Sequence, residues 1–139
     1  MSLPENRVST ARGDVVLSSP ARCTSLIVAT GHLELEHAEA IVSFGRKLLA
    51  EQPGPHASFS DYWALTGYDS RARQHLTDWA LEVRDRVPTT HALTRQKLVA
   101  MGVATAGLAL SLVGISLAAH TTRASFERAL AERVREMSR

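Results

Sequence analysis

The amino-acid sequence predicts an α/β fold in which helices pack on a mostly parallel β-sheet. The chain has 139 residues, of which 45% are hydrophobic and 22% are charged, and this is the size and composition of a globular domain. We therefore expect residues 1–139 to form a single domain. Short β-rich runs alternate with helical patterns in the order β-β-α-β-α-β-α-β-α. Strands that alternate with helices indicate parallel pairing through right-handed crossovers.

The first predicted elements are a β-hairpin and a helix. Residues 15–18 and 25–29 are β-rich, and the turn-forming residues 19–22 between them predict the hairpin. Apolar residues then recur at spacings of three and four over residues 35–49, which predicts a helix. The Pro-Gly-Pro sequence at 53–55 ends this helix.

A strand, a loop and a second helix are predicted next. Residues 57–61 are expected to form a short strand and residues 64–68 a loop. Asp69 or Ser70 is a good N-cap, because either side-chain oxygen can accept a hydrogen bond from the free amides of the first helical turn. The amphipathic pattern that follows ends at Pro88.

The uncharged stretch 98–119 has two interpretations. About twenty apolar residues suffice to span a bilayer, so one interpretation is a transmembrane helix. In the other, residues 89–93 form a strand, residues 97–110 a buried helix and residues 112–118 a buried last strand. We favour the second, because the sheet otherwise lacks a helix and a strand. Thr121 or Thr122 is expected to cap a final helix, whose apolar face carries Phe126, Leu130, Val134 and Met137.

No combination of side chains predicts catalysis or metal binding. The six histidines are scattered, and His32 and His37 are five residues apart, so these two do not share a helix face. Cys23 is the single cysteine and has neither a disulfide partner nor a neighbouring base. Phosphate-binding glycine loops and nucleophile elbows are missing from the sequence. We expect a protein that is not an enzyme and has no metal and no cofactor.

The charges do not favour nucleic-acid binding. Sixteen basic residues face fourteen acidic ones, a net charge of +2, and the two signs are interleaved, for example at 84–86 and 132–136. A nucleic-acid site needs a cluster of basic residues on one face, so we expect no such partner. Residues 1–25 lack the apolar stretch of a signal peptide, and one unpaired cysteine is typical of a reducing compartment, so a cytoplasmic location is predicted.

Two short segments resemble the STAS family of anti-sigma-factor antagonists and SpoIIAA-like proteins. Residues 59–61 and 65–70 are similar to the family's strand–loop–helix signature, in which an Asp ends a strand and an Asp-Ser-Ser/Thr-Gly motif opens the next helix. Asp61 matches the first Asp, and Asp69 and Ser70 match the start of the motif. The predicted element order resembles a single STAS-like domain over nearly the whole chain.

The resemblance stops after Ser70. Arg71 occupies the position of the family's phosphorylated Ser or Thr, and Ala72 replaces the Gly. The phosphorylation switch of the antagonists is therefore not expected in this chain. The looser SpoIIAA-like group, which is related to lipid-binding SEC14 domains, also lacks that Ser and is the better match.

The resemblance implies a bacterial, non-catalytic regulatory protein that contacts a kinase or an anti-sigma-like protein. Its contact surface would be the strand–loop–helix region 61–73. The exposed start of a helix attracts anions, and Tyr and Trp are enriched at interfaces. The implied partner-binding residues are Asp61, Trp63, Thr66, Gly67, Tyr68, Asp69, Ser70, Arg71 and Arg73.

Other interpretations of the same features stay open. Trp63 and Tyr68 can belong to the core, and Asp69 and Ser70 can serve only as a helix cap. The relation to SEC14 domains implies an apolar cavity that holds a lipid or another small amphiphile. The edge strands of such a sheet can also pair two copies into a homodimer.

Overall fold

The computed structural model describes residues 6–139, which form one mixed sheet and four helices. The strands are β1 (Asn6–Ser9), β2 (Gly13–Ala21), β3 (Thr24–Leu33), β4 (Ala57–Tyr68), β5 (Thr89–Thr94) and β6 (Ser116–His120). The helices are α1 (Leu35–Glu51), α2 (Ser70–Glu82), α3 (Lys97–Ser111) and α4 (Arg123–Met137). Across the sheet the strands lie in the order β1-β2-β3-β4-β5-β6. The predicted α/β class and the order of elements are confirmed, and β1 is an additional strand ahead of the predicted hairpin.

The direction of the strands changes once across the sheet. β1, β2 and β3 are antiparallel neighbours, whereas β3, β4, β5 and β6 are parallel neighbours. Each parallel connection contains one helix, as parallel pairing requires. The hairpin between β2 and β3 turns later than predicted, because β2 continues to Ala21 and only Arg22 and Cys23 form the turn.

β4 is longer than the sequence predicts. The predicted loop at 64–68 is the second half of this strand, because β3 also extends and pairs with it: His32 lies opposite Gly67 and Leu33 opposite Tyr68. Two register shifts interrupt the β3–β4 pairing along this half. The predicted loop is therefore wrong, and residues 61–68 are held by the sheet up to the start of α2.

The uncharged stretch 98–119 forms most of α3, a turn and most of β6. Gly114 has a φ of 82°, the left-handed region that favours glycine, and it reverses the chain between helix and strand. No helix among residues 6–139 is both long enough and apolar enough to cross a membrane. The expectation of a buried helix is wrong for one side of α3, where the exposed large side chains are Leu98, Met101 and Leu108.

The helices lie on the two faces of the sheet. α1, α2 and α3 cover one face, where their Phe44, Ala72 and Val99 pack with strand residues such as Ile27 and Leu65. α4 covers the other face, where its Phe126 packs with Phe59 and Leu93. Adjacent strand residues point to opposite faces, so Leu26 packs on the α4 side and Ile27 on the α1–α3 side. We call these the α4 face and the α1–α3 face.

Candidate functional site

The nine residues that the family resemblance implied lie in three environments. Asp61 and Trp63 lie on the α4 face, and Tyr68 and Arg73 line the interior of the α1–α3 face. The remaining residues lie at the end of β4 and in the first turn of α2, where Thr66, Ser70 and Arg71 are exposed, Asp69 is half-buried and Gly67 is buried.

Asp69 is the residue around which this end of β4 is organised. It occupies the N-cap position of α2, as predicted, but its side chain does not accept a hydrogen bond from the helix amides. Instead the Asp69 carboxylate accepts a hydrogen bond from His32, with 2.8 Å between Nε2 and Oδ1, and lies 3.7 Å from Arg12 Nη1. The predicted capping role of the Asp69 side chain is therefore wrong, because its carboxylate is hydrogen-bonded to the His32 ring instead of to the helix amides.

The surroundings of Asp69 favour its charged form. The hydrogen bond from His32, together with the positive charges of His32 and Arg12, lowers the pKa of Asp69 below its ordinary value. The Asp69 amide also donates to the Leu33 carbonyl at 2.8 Å, which ties the start of α2 to the end of β3. The carboxylate is thus ionised and fixed in place at the surface.

His32 reaches Asp69 because of the pairing between β3 and β4. His32 lies opposite Gly67, and a β-carbon at Gly67 would stand 3.0 Å from His32 Nδ1. The missing side chain of Gly67 therefore leaves room for the imidazole ring. Thr66 contributes a further link, since its hydroxyl donates to the Gly31 carbonyl at 3.1 Å.

Arg12 is placed by the turn between β1 and β2. Its carbonyl accepts a hydrogen bond from the His32 amide at 3.0 Å. Gly31 has a φ of 78° and faces the same carbonyl so closely that a β-carbon would lie 2.5 Å from it. Thr10 anchors the turn to the start of α1, because its hydroxyl donates to Glu34 Oε1 at 2.7 Å. The turn thus holds Arg12 beside Asp69.

Sequence reasoning missed Arg12 and His32. Both lie more than thirty residues before Asp69, and no local pattern marks either of them. The register of the extended β3–β4 pair brings His32 to Asp69, and the turn between β1 and β2 brings Arg12 there. We call the surface formed by Arg12, His32, Thr66, Asp69, Ser70 and Arg71 the rim.

Asp61 and Trp63 form a separate cluster on the α4 face. Asp61 accepts two hydrogen bonds from Arg123, at 3.0 and 3.3 Å, and its side chain is 12% exposed. This pairing raises the pKa of Arg123 further above its ordinary value. The guanidinium carbons of Arg95 and Arg123 each lie 5.7 Å from the centre of the Trp63 ring, which is cation–π geometry. Asp61 therefore fastens α4 to the sheet.

A cavity of about 180 Å³ lies between the sheet and the three helices of the α1–α3 face. Its walls are mainly apolar, and no Asp or Glu among residues 6–139 lines it. Arg73 is among the lining residues, and Tyr68 lies against α3 where Gly102 has no side chain. His56 also lines the cavity, and burial lowers its pKa, which favours the neutral ring.

Histidines also meet on the α4 face. His91 Nδ1 lies 2.9 Å from His120 Nε2, and His120 Nδ1 lies 2.7 Å from the Ser125 hydroxyl. His91 stacks on Phe59 with ring centres 4.5 Å apart. Burial lowers the pKa of both histidines, and the charge of His120 lowers that of His91 further. Over residues 6–139, no group of three His, Cys, Asp or Glu side chains is placed to hold a metal ion.

Comparisons with known proteins identify the fold. No protein-family model matches the sequence, and no curated protein matches it either. The chain is similar in structure to a DUF3478-family protein with a SpoIIAA-like fold from Shewanella loihica PV-4, with a TM-score of 0.58 and 12% identity over 91% of this chain and 92% of that one. It is also similar to an anti-sigma factor antagonist from Mycobacterium paratuberculosis, with a TM-score of 0.60 and 15% identity over 97% and 99% of the two chains.

Proposed function

We propose that this chain, which has the SpoIIAA-like fold, is a non-catalytic regulatory protein of the cytoplasm that binds a partner protein through the rim. The observation that carries the proposal is the state of Asp69. Its carboxylate is ionised and held at the surface by two basic residues from other elements, although it stands where a helix-capping side chain is expected. A fixed surface charge of this kind costs little ordering entropy when a partner binds.

The rim offers a partner charges of both signs within a short distance. Arg71 is exposed in the first turn of α2 and makes no ion pair with any residue from 6 to 139, and Ser70 beside it is also exposed. Such an arrangement favours a polar docking surface, in which charge complementarity sets the choice of partner. The similarity in fold to an anti-sigma factor antagonist supports a kinase or an anti-sigma-like protein as the class of partner.

The arginine at position 71 changes how such a contact would be regulated. A phosphorylated side chain carries a charge of about −1.5 to −2 at neutral pH, whereas Arg71 carries a permanent positive charge. We therefore propose a contact that is not switched by phosphorylation at residue 71. The proposed partner is a protein and not a nucleic acid.

The test is affinity capture followed by reconstitution with the purified partner. We expect Asp69→Lys and Arg71→Glu to weaken partner binding by at least tenfold while the fold survives, because each places the wrong charge in the rim. Arg22→Glu is the matched control, since Arg22 is exposed in the turn at the opposite end of β3. Equal binding by the two rim variants and the control would contradict the proposal. Light scattering on the same samples checks for the homodimer.

A further inference from the structure

We infer that Ser125 is an activated serine whose hydroxyl accepts an acyl group from an activated ester, with His120 as the general base and His91 as the residue that positions His120. The three side chains are joined by hydrogen bonds on the α4 face. This inference goes beyond the proposed partner binding and does not depend on it, because the rim contains none of these residues. It concerns a covalent modification of the chain and not a catalytic cycle.

The three side chains have the geometry of an activated nucleophile. The Ser125 hydroxyl oxygen lies 2.7 Å from His120 Nδ1, and His120 Nε2 lies 2.9 Å from His91 Nδ1. A weak hydroxyl becomes nucleophilic when it lies within hydrogen-bond reach of a base that a third group holds in place. When Ser125 donates to Nδ1 of the neutral His120 ring, the hydrogen of that ring is on Nε2 and is donated to His91. One direction of donation therefore satisfies both contacts.

The surroundings fix both imidazole rings and favour their neutral form. His91 stacks on Phe59 with an angle of 4° between the ring planes, and His120 meets Phe126 edge-on with ring centres 5.8 Å apart. Burial lowers the pKa of both histidines below 6.5, so the neutral rings predominate at pH 7. A general base must be unprotonated before it can take a proton, and His120 meets this condition at neutral pH.

Ser125 lies beside backbone amides that are free to stabilise negative charge. It is half-buried in the first turn of α4, and the preceding Arg123 and Ala124 are exposed, so solvent reaches this turn. The Ser125 amide donates to the Thr122 hydroxyl, whereas the amides of Arg123 and Ala124 have no acceptor among residues 6–139. Free amides at a helix start stabilise an oxyanion such as the one formed during acyl transfer. The helix start therefore assists the serine that the two histidines activate.

The chemical step transfers the acyl group and one proton. The Ser125 oxygen attacks the carbonyl carbon of the ester and forms a bond to it, while His120 Nδ1 takes the hydroxyl proton. The bond from that carbon to the leaving group breaks, the leaving group keeps the electron pair, and His120 returns the proton to the leaving group or to water. Ser125 lines neither the cavity of the α1–α3 face nor the hollow that His91 borders, so neither holds a substrate beside it for repeated turnover. We therefore expect one acyl group per chain.

p-Nitrophenyl acetate is the probe, and mass spectrometry of proteolytic peptides locates the acetyl group. We expect an initial burst of one p-nitrophenolate per chain, with the acetyl group on Ser125. Ser70 is the control within the same molecule, because it is exposed in the first turn of α2 and has no histidine partner among residues 6–139. Acetylation of Ser70 as fast as Ser125, or no acetyl group on Ser125, would overturn the inference.

A variant of the base tests the proton transfer. His120→Asn should lower the rate of acetylation by at least about a hundredfold, because an amide oxygen accepts the serine hydrogen bond but does not take the proton. Thr121→Ala is the matched control, since Thr121 is exposed beside His120 and makes no side-chain hydrogen bond with any residue from 6 to 139; its rate should equal that of the wild type. An unchanged rate in His120→Asn would exclude His120 as the base.

Two variants of His91 separate positioning from packing. His91→Phe keeps the stack on Phe59 and removes the acceptor for His120, whereas His91→Asn loses the stack and keeps an acceptor oxygen near the position of Nδ1. We expect His91→Phe to slow acetylation by about tenfold or more and His91→Asn to stay closer to the wild type. The reverse order would show that His91 acts only through packing. Urea unfolding confirms that each variant is folded, and capture of the protein partner is scored separately with the rim variants.

Discussion

The two faces of the same sheet are packed in opposite ways. On the α4 face, Phe59 stacks on His91, and Phe126 contacts the edge of Phe59 with ring centres 5.9 Å apart. On the α1–α3 face, the neighbouring positions of the same strands carry Ser58, Ser60, Thr90 and Ala92, and a cavity lies above them. Consecutive side chains of a strand point to opposite faces of the sheet. One strand can therefore carry large side chains on one face and small side chains on the other.

Beneath the cavity, this difference divides β4 and β5 into a closely packed α4 side and a loosely packed α1–α3 side, while the larger hydrophobic core lies elsewhere on the α1–α3 face. Aromatic rings bury large areas and interact favourably with each other, so at these positions the α4 side of the two strands contributes more packing energy than the cavity side. Small hydroxyl-bearing and alanine side chains bury little area, so the sheet beneath the cavity contributes less. The three predictions that follow test this division, in order of decreasing effect.

The largest effect is expected on the α4 face. Phe59 is 1% exposed, and Phe59→Ala should lower the free energy of unfolding by about 3–5 kcal/mol, the usual cost of removing a buried aromatic ring. Ser58→Ala is the matched control, because Ser58 is the preceding residue and faces the cavity; its effect should stay below about 0.5 kcal/mol. Urea denaturation measures both values. Similar losses for the two variants would contradict the division.

A gain of stability is expected on the α1–α3 face. Ala106→Leu places apolar volume in the cavity, and cavity filling commonly raises the free energy of unfolding by about 0.5–2 kcal/mol. The exposed Ala104→Leu should change it by less than about 0.5 kcal/mol. Thermal and urea unfolding measure the difference. A strong loss of stability in Ala106→Leu would show that the space is too narrow for the added side chain.

The smallest effect concerns pH and the histidine pair of the α4 face. Burial lowers the pKa of His91 and His120 below the ordinary value of 6.5, so the unfolded chain binds more protons than the folded one as the pH falls through that value. Stability should therefore be full above pH 6.5 and decrease at lower pH, until both folded rings are protonated. Glu132, Arg133 and Glu136 of α4 border the same hollow as His91, so charges of both signs lie on the helix that faces the ring.

His91→Phe isolates this contribution. The phenyl ring keeps the stack on Phe59 and removes one proton-binding site, so the unfolding free energy of the variant should depend less on pH between 7.5 and 5.5. Urea denaturation at a series of pH values gives the two slopes. Parallel slopes for variant and wild type would exclude the histidine pair as the source.

The fold was largely predictable from the sequence, and the candidate site only in part. Alternating β-rich and helical patterns gave the α/β class, and Thr122 caps α4 as expected, accepting a hydrogen bond from the Ser125 amide. The prediction of a loop at 64–68 was wrong, because those residues have no strong β pattern of their own and become a strand only by pairing with β3. β1 was missed for a similar reason, since its four residues form a strand only against β2.

What the sequence determined by itself is local: the periodic patterns, the turns and the caps follow from residues that are close along the chain. The tertiary structure decided everything that joins distant residues. The β3–β4 register brought His32 to Asp69, and the β1–β2 turn brought Arg12 to the same carboxylate. The cavity also depends on the packing of three helices over small strand residues, and no local sequence pattern predicts it. Short-range propensities cannot encode these contacts, because they depend on register and packing between elements.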